Sequence, residues 1–377
     1  MRIAIAIKEF TLRKGGAERY AVNIARQFAR MGIDVHIFSS YCDNIEDKNI
    51  TYHRVPIIRK PSILKIISFP LLCRSIIAQN NYDLTYALTP VFPVDVYRIG
   101  EGLHIDVLRY RYGSGRIKIS KLLSPRHLAI LSIERRLFKK GNYKRIVCNS
   151  RMLMERTIFN YSVPRENISV IYNGVDQERF NPDVKIFRSE MRRLMDLKED
   201  DLVILFVSND FYRKGLKKAI EALSDFNVLF SGGWKLVVVG RDRAEPYMRL
   251  AKKGGIKDRI VFLGMRDDIE KFYGMADILL LPTLYDPFAN VVAESIACGT
   301  PVITTRINGA SEIVEDGKTG ILIEGNRNEI VDALFSVSRK ERREIMSKNC
   351  ENAGKNFSIN EHCKILIQLF SEILLDK

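Results

Sequence analysis

Cysteine is sparse and unpaired: six residues (Cys42, Cys73, Cys148, Cys298, Cys350, Cys363) stand scattered, with no Cys-x-x-Cys among them. This pattern gives no disulfide framework and no thiolate metal site, and it implies reduced thiols in a cytoplasmic protein. No run of about 18 uncharged apolar residues occurs, so no transmembrane helix is expected. The chain opens directly on the strand-like run Arg2 to Ile7, and no signal peptide is expected. Short repeats and low-complexity segments are missing as well. So is Gly-x-Gly-x-x-Gly, which argues against a dehydrogenase. The most uneven shortage is of acid. Residues 1–175 hold 13 Asp+Glu against 29 Lys+Arg, whereas residues 176–377 hold 32 against 31. The whole net charge of +15 therefore arises in the first half. Between 109 and 145 there are 12 basic residues and one acid, Glu134. Such a segment suits an anionic partner: a membrane surface, a phosphorylated glycolipid or a nucleic acid. Between Arg109 and Lys121 only Tyr110 and Tyr112 could stack on bases, which disfavours nucleic acid.

What is present reads as two α/β domains, as 377 residues with 46% apolar content allow. Arg2 to Ile7 is a buried strand, Gly15-Gly16 opens a helix to Met31, and Ile33 to Phe38 is the next strand. This βαβ unit implies a parallel sheet. The glycine pair at the strand-to-helix turn would let a ligand approach the backbone. Residues 56–79 mix Ile, Leu and Phe with Arg59, Lys60, Lys65 and Arg74, and fit either a basic interfacial segment or a core helix with a solvated edge. Tyr82 to Leu88 is a strand. Asp95 to His104 is a strand region ending in Gly100-Glu101-Gly102-Leu103-His104, where Glu101 could accept a proton from a hydroxyl and His104 stands beside it. Arg145 to Cys148 and Ile168 to Tyr172 complete the first half, and Asn173-Gly174-Val175-Asp176 reads as a hinge. Asp201 to Val207 opens the second half. The loop after it carries Arg213 and Lys214, where ligands bind in open α/β sheets. Further strands are expected at 236–240, 260–264, 278–281, 302–305 and 321–323, and the last helix at about 361–374.

The richest stretch runs from Pro282 to Val314. Pro282 and Pro287 bracket a loop. Phe288, Val291, Val292, Ser295 and Ile296 follow helical spacing, and Gly299 and Pro301 mark the return to a strand. Asn290 and Glu294 fall one turn apart on the opposite face, and Asp286 precedes the first turn, all within roughly 12 Å. Helix N–H groups hold anions and carboxylates grip hydroxyls, a combination that suits a sugar nucleotide.

This stretch resembles the C-terminal signature of the retaining, two-Rossmann-domain (GT-B) glycosyltransferases of family 4. Asp286-Pro-Phe-Ala-Asn-Val-Val-Ala-Glu294 followed by Gly299-Thr-Pro-Val302 is similar to their Glu-x7-Glu and Gly-x-Pro-Val motifs, with Asp286 in place of the first Glu. The resemblance covers nearly the whole chain and comes nearest to the lipopolysaccharide inner-core glucosyltransferases. It implies two Rossmann-like doubly wound domains facing each other across a cleft. The first, residues 1–175 with the helix at about 360–377 returning to it, would bind the acceptor. The second, 176–359, would bind the donor.

By the same resemblance Arg213 and Lys214 stabilise a departing diphosphate, with Glu101 and His104 the other candidate catalytic residues. Gly15, Gly16, Asp286, Phe288, Ala289, Asn290 and Glu294 bind the donor, with Glu294 on the ribose. Retention of the anomeric configuration follows. The sequence has no Asp-x-Asp, so no metal-bound diphosphate and no cofactor are expected. The implied partners are a nucleotide sugar such as UDP-glucose, a phosphorylated or lipid-linked glycan acceptor, and the inner face of the cytoplasmic membrane. Alternatives are a sugar-nucleotide epimerase or phosphorylase of the same architecture, or a non-enzymatic basic protein that binds membrane or nucleic acid.

Overall fold

The computed structural model describes residues 1–13, 15–43, 47–58, 60–112 and 124–375, with Ser62 and Tyr112 described in their backbone only. Two compact units emerge: Met1–Tyr172 with Ile359–Lys377, and Asn173–Ser358.

The first unit is built on seven parallel strands: β1 (Arg2–Ala6), β2 (Asp34–Ser39), β3 (Ile50–Arg54), β4 (Leu84–Ala87), β5 (Val94–Ile99), β6 (Tyr143–Cys148) and β7 (Ile168–Val170). Their order is β3-β2-β1-β4-β5-β6-β7, so the winding reverses between β1 and β4. Helices cover both faces, which is why β1 reads as an uninterrupted apolar run. Ile3 and Ile5 face the helix Gly16–Arg30, while Ala4 and Ala6 face the side that holds Phe69 and Cys73 of the helix Ser62–Ile77. β3 is absent from the sequence reading. It is an edge strand whose Thr51, Tyr52 and Arg54 are exposed, and it lacks the apolar run that marks a buried strand.

The helix Ser62–Ile77 has one side in the core and one exposed, which agrees with the core-helix reading of residues 56–79. Phe69 and Cys73 are buried, whereas Leu64, Ile67 and Leu71 on the opposite side are 40%, 37% and 57% exposed. His104 does not end a strand region. β5 stops at Ile99, a loop follows, and His104 is the first residue of a helix running to Tyr112.

The C-terminal helix, Ile359–Leu375, belongs to the first unit. Leu366, Leu369, Phe370 and Ile373 enter its core, with Phe370 edge-on to Phe28 at 6.0 Å and to Tyr86 at 5.3 Å. His362 is tied at both nitrogens, Nε2 to the Tyr20 hydroxyl at 2.7 Å and Nδ1 to the Tyr172 carbonyl at 2.7 Å. Nδ1 faces a carbonyl and therefore carries the proton, so Nε2 accepts from Tyr20. Burial, aided by the Arg98 cation, holds this imidazole down at about 3, which keeps it neutral.

The second unit carries six parallel strands: β8 (Leu202–Val207), β9 (Trp234–Val239), β10 (Ile260–Phe262), β11 (Ile278–Leu281), β12 (Val302–Thr305) and β13 (Gly320–Ile323). Their order, β10-β9-β8-β11-β12-β13, reverses between β8 and β11. Its first and last segments lie side by side, Val175 and Ser358 forming a parallel bridge.

Candidate active site

Open parallel sheets bind ligands beyond the carboxyl ends of their strands, where the winding reverses. In the second unit that point lies between β8 and β11, and the loops leaving these two strands carry Arg213, Lys214 and Asp286. The loops are stitched together. Leu284 N–H and the Thr283 hydroxyl both donate to the Arg213 carbonyl, at 2.8 and 2.9 Å. Gly215 follows at φ +80°, and any side chain there would strike the Pro282 carbonyl, which is the steric reason for glycine after Lys214.

Across this seam, Asp286 Oδ2 takes Lys214 Nζ at 2.5 Å and Arg213 Nη1 at 2.7 Å. Asp210, in the same loop as the cations, holds Arg213 Nε at 3.3 Å. Asp286 is 4% exposed and Lys214 8%. Burial pushes the Asp286 carboxyl up, but Lys214 and then Arg213 pull it below its ordinary value. Burial likewise draws the Lys214 ammonium down, with Asp286 opposing. A depressed carboxyl stabilises the fold fully above the ordinary carboxylate range, and that contribution fades as pH falls through the folded value.

The helix expected to begin near Phe288 begins at Asn290 and ends at Ala297. Side chains take the preceding N–H groups: Asp286 Oδ1 accepts from Phe288 N–H at 3.0 Å, and Asn308 Oδ1 from Ala289 N–H at 3.2 Å. Phe288 and Ala289 are therefore buried scaffold of the loop. In this structure their N–H groups are engaged by Asp286 and Asn308. The buried stripe is rotated too, since Ala293 lies inside and Val291 is half-buried. Asn290 and Glu294 sit on the less buried face, as their spacing requires. Glu294 Oε2 accepts from the buried Tyr273 hydroxyl at 2.9 Å, and Asn290 Oδ1 from Asn173 Nδ2 at 2.7 Å. Tyr273, Asn308 and Asn173 escape sequence reasoning. They orient the site residues across chain separations that no local motif spans.

The remaining candidates lie in the first unit, at the carboxyl ends of its strands. Gly15 caps the helix after β1, and its N–H donates to Glu18 Oε2 at 3.2 Å. Gly16 is the first helical residue. Glu101 is exposed in the loop after β5, next to Gly102 at φ +83°. His104 is half-buried, with Nε2 at 2.9 Å from His127 Nδ1. Burial, His127 and Arg126 pull it down to about 4, so it is neutral at physiological pH. Among the described residues no group of His, Cys, Asp and Glu side chains is placed to hold a metal ion.

This geometry can be set beside known proteins. Residues 187–357 match the glycosyl transferases group 1 profile, and residues 14–179 match that of glycosyltransferase family 4. The chain belongs to the family 4 glycosyltransferases. An uncharacterized glycosyltransferase of Methanocaldococcus jannaschii is 31% identical over 184 residues, which is 47% of this chain and 46% of that protein. The lipopolysaccharide glucosyltransferase WaaG of Escherichia coli is 23% identical over 314 residues, 82% of each chain. A crystal structure of WaaG superposes with a TM-score of 0.85 at 20% identity, covering 98% of this chain and 99% of that one. The Anabaena HepE complex with UDP-glucose gives 0.75 at 19% identity, covering 99% and 100%. The shared fold is GT-B, with two Rossmann-like domains of seven and six parallel strands.

Replacing Asp286 by Asn in this glycosyltransferase leaves a buried ammonium without its counter-charge. The expected loss is about 3–5 kcal/mol of stability at neutral pH, because breaking one side of a buried ion pair strands the other. Urea unfolding of the two proteins measures it. A loss below about 1 kcal/mol, the size of an exposed pair, would show that water already screens the cluster.

Proposed function

We propose that this glycosyltransferase moves a hexose from a nucleotide sugar, with UDP-glucose the best-fitting donor, to a phosphorylated or lipid-linked glycan of the lipopolysaccharide-core kind. The observation that carries this reading is the Arg213–Lys214–Asp286 cluster spanning the point where the second sheet reverses. Charge grows on the diphosphate as the glycosidic bond breaks, and two cations fixed in a partly dry loop stabilise it without reorganising. Asp286 keeps both side chains extended until the diphosphate takes over as their partner, and is then able to turn to the sugar. Glu294, oriented by Tyr273, accepts the ribose hydroxyls. The first unit supplies the acceptor side, with Glu101 taking the proton of the attacking hydroxyl. His104, neutral and engaged with His127, fixes the start of the helix behind that loop. Transfer proceeds with retention and without a metal. The names of the WaaG and HepE relatives support a glucose donor and a lipopolysaccharide-type acceptor.

Donor binding is the direct test. Isothermal titration should show UDP-glucose binding above UDP-N-acetylglucosamine, UDP-galactose and GDP-mannose. Glu294→Ala should weaken it by about 1.5–3 kcal/mol, the value of hydrogen bonds to a charged acceptor. Unchanged affinity in the variant would remove Glu294 from the ribose. Nucleotide release that needs acceptor separates a transferase from an epimerase or a phosphorylase.

We further infer that the enzyme works on the inner face of an anionic membrane. Among the described residues no helix is long and apolar enough to cross one. The segment 113–123, which holds Arg116, Lys118 and Lys121 of the basic stretch, lies outside the described residues. Support comes from the helix Ser62–Ile77. Leu64, Ile67 and Leu71 recur every three to four residues along one exposed side, beside the exposed Lys60 and Arg74. No acid occurs between Asp47 and Asp83. Basic groups gain about 1 kcal/mol each near an anionic leaflet. Sedimentation with phosphatidylglycerol vesicles should show binding that falls with salt and drops on Leu64→Ser with Leu71→Ser. Equal binding to neutral vesicles, or none at low salt, contradicts this placement.

A further inference from the structure

The lone acid of the basic stretch is used in a way that its charge does not suggest. Glu134, on the helix Pro125–Leu137, is 7% exposed. Its Oε1 accepts from the His104 N–H at 2.7 Å and its Oε2 from the Tyr161 hydroxyl at 2.6 Å, and the Ile105 N–H also points to the carboxyl. His104 and Ile105 open the helix His104–Tyr112, so the carboxylate meets two N–H groups left without partners at a helix start, where negative charge is favoured. The loop 100–103 joins β5 to this helix. Its other end is fixed by the buried Asn149, whose Nδ2 donates to the Gly100 carbonyl at 3.2 Å. The loop is thus pinned at both ends at the carboxyl edge of the first sheet, where open sheets bind their ligands.

We propose that Glu134 is a positioning residue for sugar transfer: as a carboxylate it fixes the helix start at His104 and so sets the loop that carries Glu101, and it releases that hold when protonated. The inference rests on the reading that this loop faces the acceptor. Protonation is within reach at neutral pH. Burial pushes the Glu134 carboxyl up to about 7, against the lowering hydrogen bonds of Tyr161, His104 and Ile105. Among the described residues, none of the main influences on it is a cation. On the His104 helix stand Asp106, which raises it further, and His104, which is neutral. Asp106 is itself paired with Arg156 at 2.7 Å and Arg109 at 3.3 Å. Tyr97 approaches from β5 and Tyr161 from the helix Arg151–Tyr161, both protonated because burial raises them. On the same helix as Glu134, His127 is drawn down by burial, and Arg135 is exposed.

The sign is definite. Above about 7 the carboxylate holds the helix start, and below it the hold weakens. Amide NMR of the intact protein between pH 5.5 and 8.5 reads this without substrate. The His104 and Ile105 amides should titrate together with a midpoint near 7. In Glu134→Gln, which keeps the size and one acceptor, that titration should vanish. In Tyr161→Phe, which removes a bond favouring the charged form, the midpoint should rise. With UDP-glucose and phosphorylated lipopolysaccharide core as the probes, kcat/KM for the acceptor should follow the same midpoint. Glu134→Gln should flatten it and lower it by up to about a hundredfold, the cost of misplacing a group by an ångström, while donor affinity holds. Amides that do not titrate, a midpoint unmoved in Tyr161→Phe, or a Glu134→Gln enzyme with the wild-type pH dependence of transfer would each overturn the proposal. Loss of UDP-glucose affinity in the wild type would instead strike the functional reading, leaving the amide titration intact.

Discussion

A buried carboxylate that must stay charged organises the second unit. Asp286 is almost inaccessible, and an isolated ionised acid there would be very costly. Lys214 and Arg213 make it tolerable, and Asp286 in turn makes the burial of Lys214 tolerable. This mutual dependence fixes the loop after β8 against the loop after β11. It also brings the chain after Lys214 so close to Pro282 that only glycine fits at 215. Two cations are thereby held, before any ligand arrives, where a parallel sheet receives anions. In the proposed reaction stability and chemistry would draw on the same atoms at one sheet crossing.

The first unit solves a similar problem with one charge instead of three. Among the described residues Glu134 is buried with no ion-pair partner and is held by hydrogen bonds, which are weaker compensation for lost hydration. Its carboxyl consequently titrates near neutrality, whereas that of Asp286 stays charged. The two units thus have the same architecture but differ in how firmly their carboxyl-edge loops are held.

Much of the fold was legible because its signals are local. Glycine and proline punctuate the stretch from Pro282 to Pro301, and apolar runs mark the strands buried on both faces. β3 escaped because an edge strand exposes Tyr52 and Arg54 and carries no apolar run. The helix starts at Asn290, two residues later than read, and the N–H groups of Phe288 and Ala289 before it are taken by Asp286 and by Asn308, which lies 19 residues away from Ala289. Of the site, the residue types were legible and the pairings were not. Arg213 and Asp286 are 73 positions apart, and nothing in either neighbourhood announces the other. Glu134 was visible only as a solitary acid among bases, which reads as a solvated residue until its burial is known.

The central claim is that the Arg213–Lys214–Asp286 cluster receives the diphosphate of a nucleotide sugar. A crystal structure of the protein with UDP-glucose tests it most directly. The account predicts diphosphate oxygens within about 2.7–2.9 Å of Arg213 and Lys214, the spacing of charge-assisted bonds, and the ribose on Glu294. A nucleotide bound elsewhere, with Asp286 still holding both cations, would contradict it.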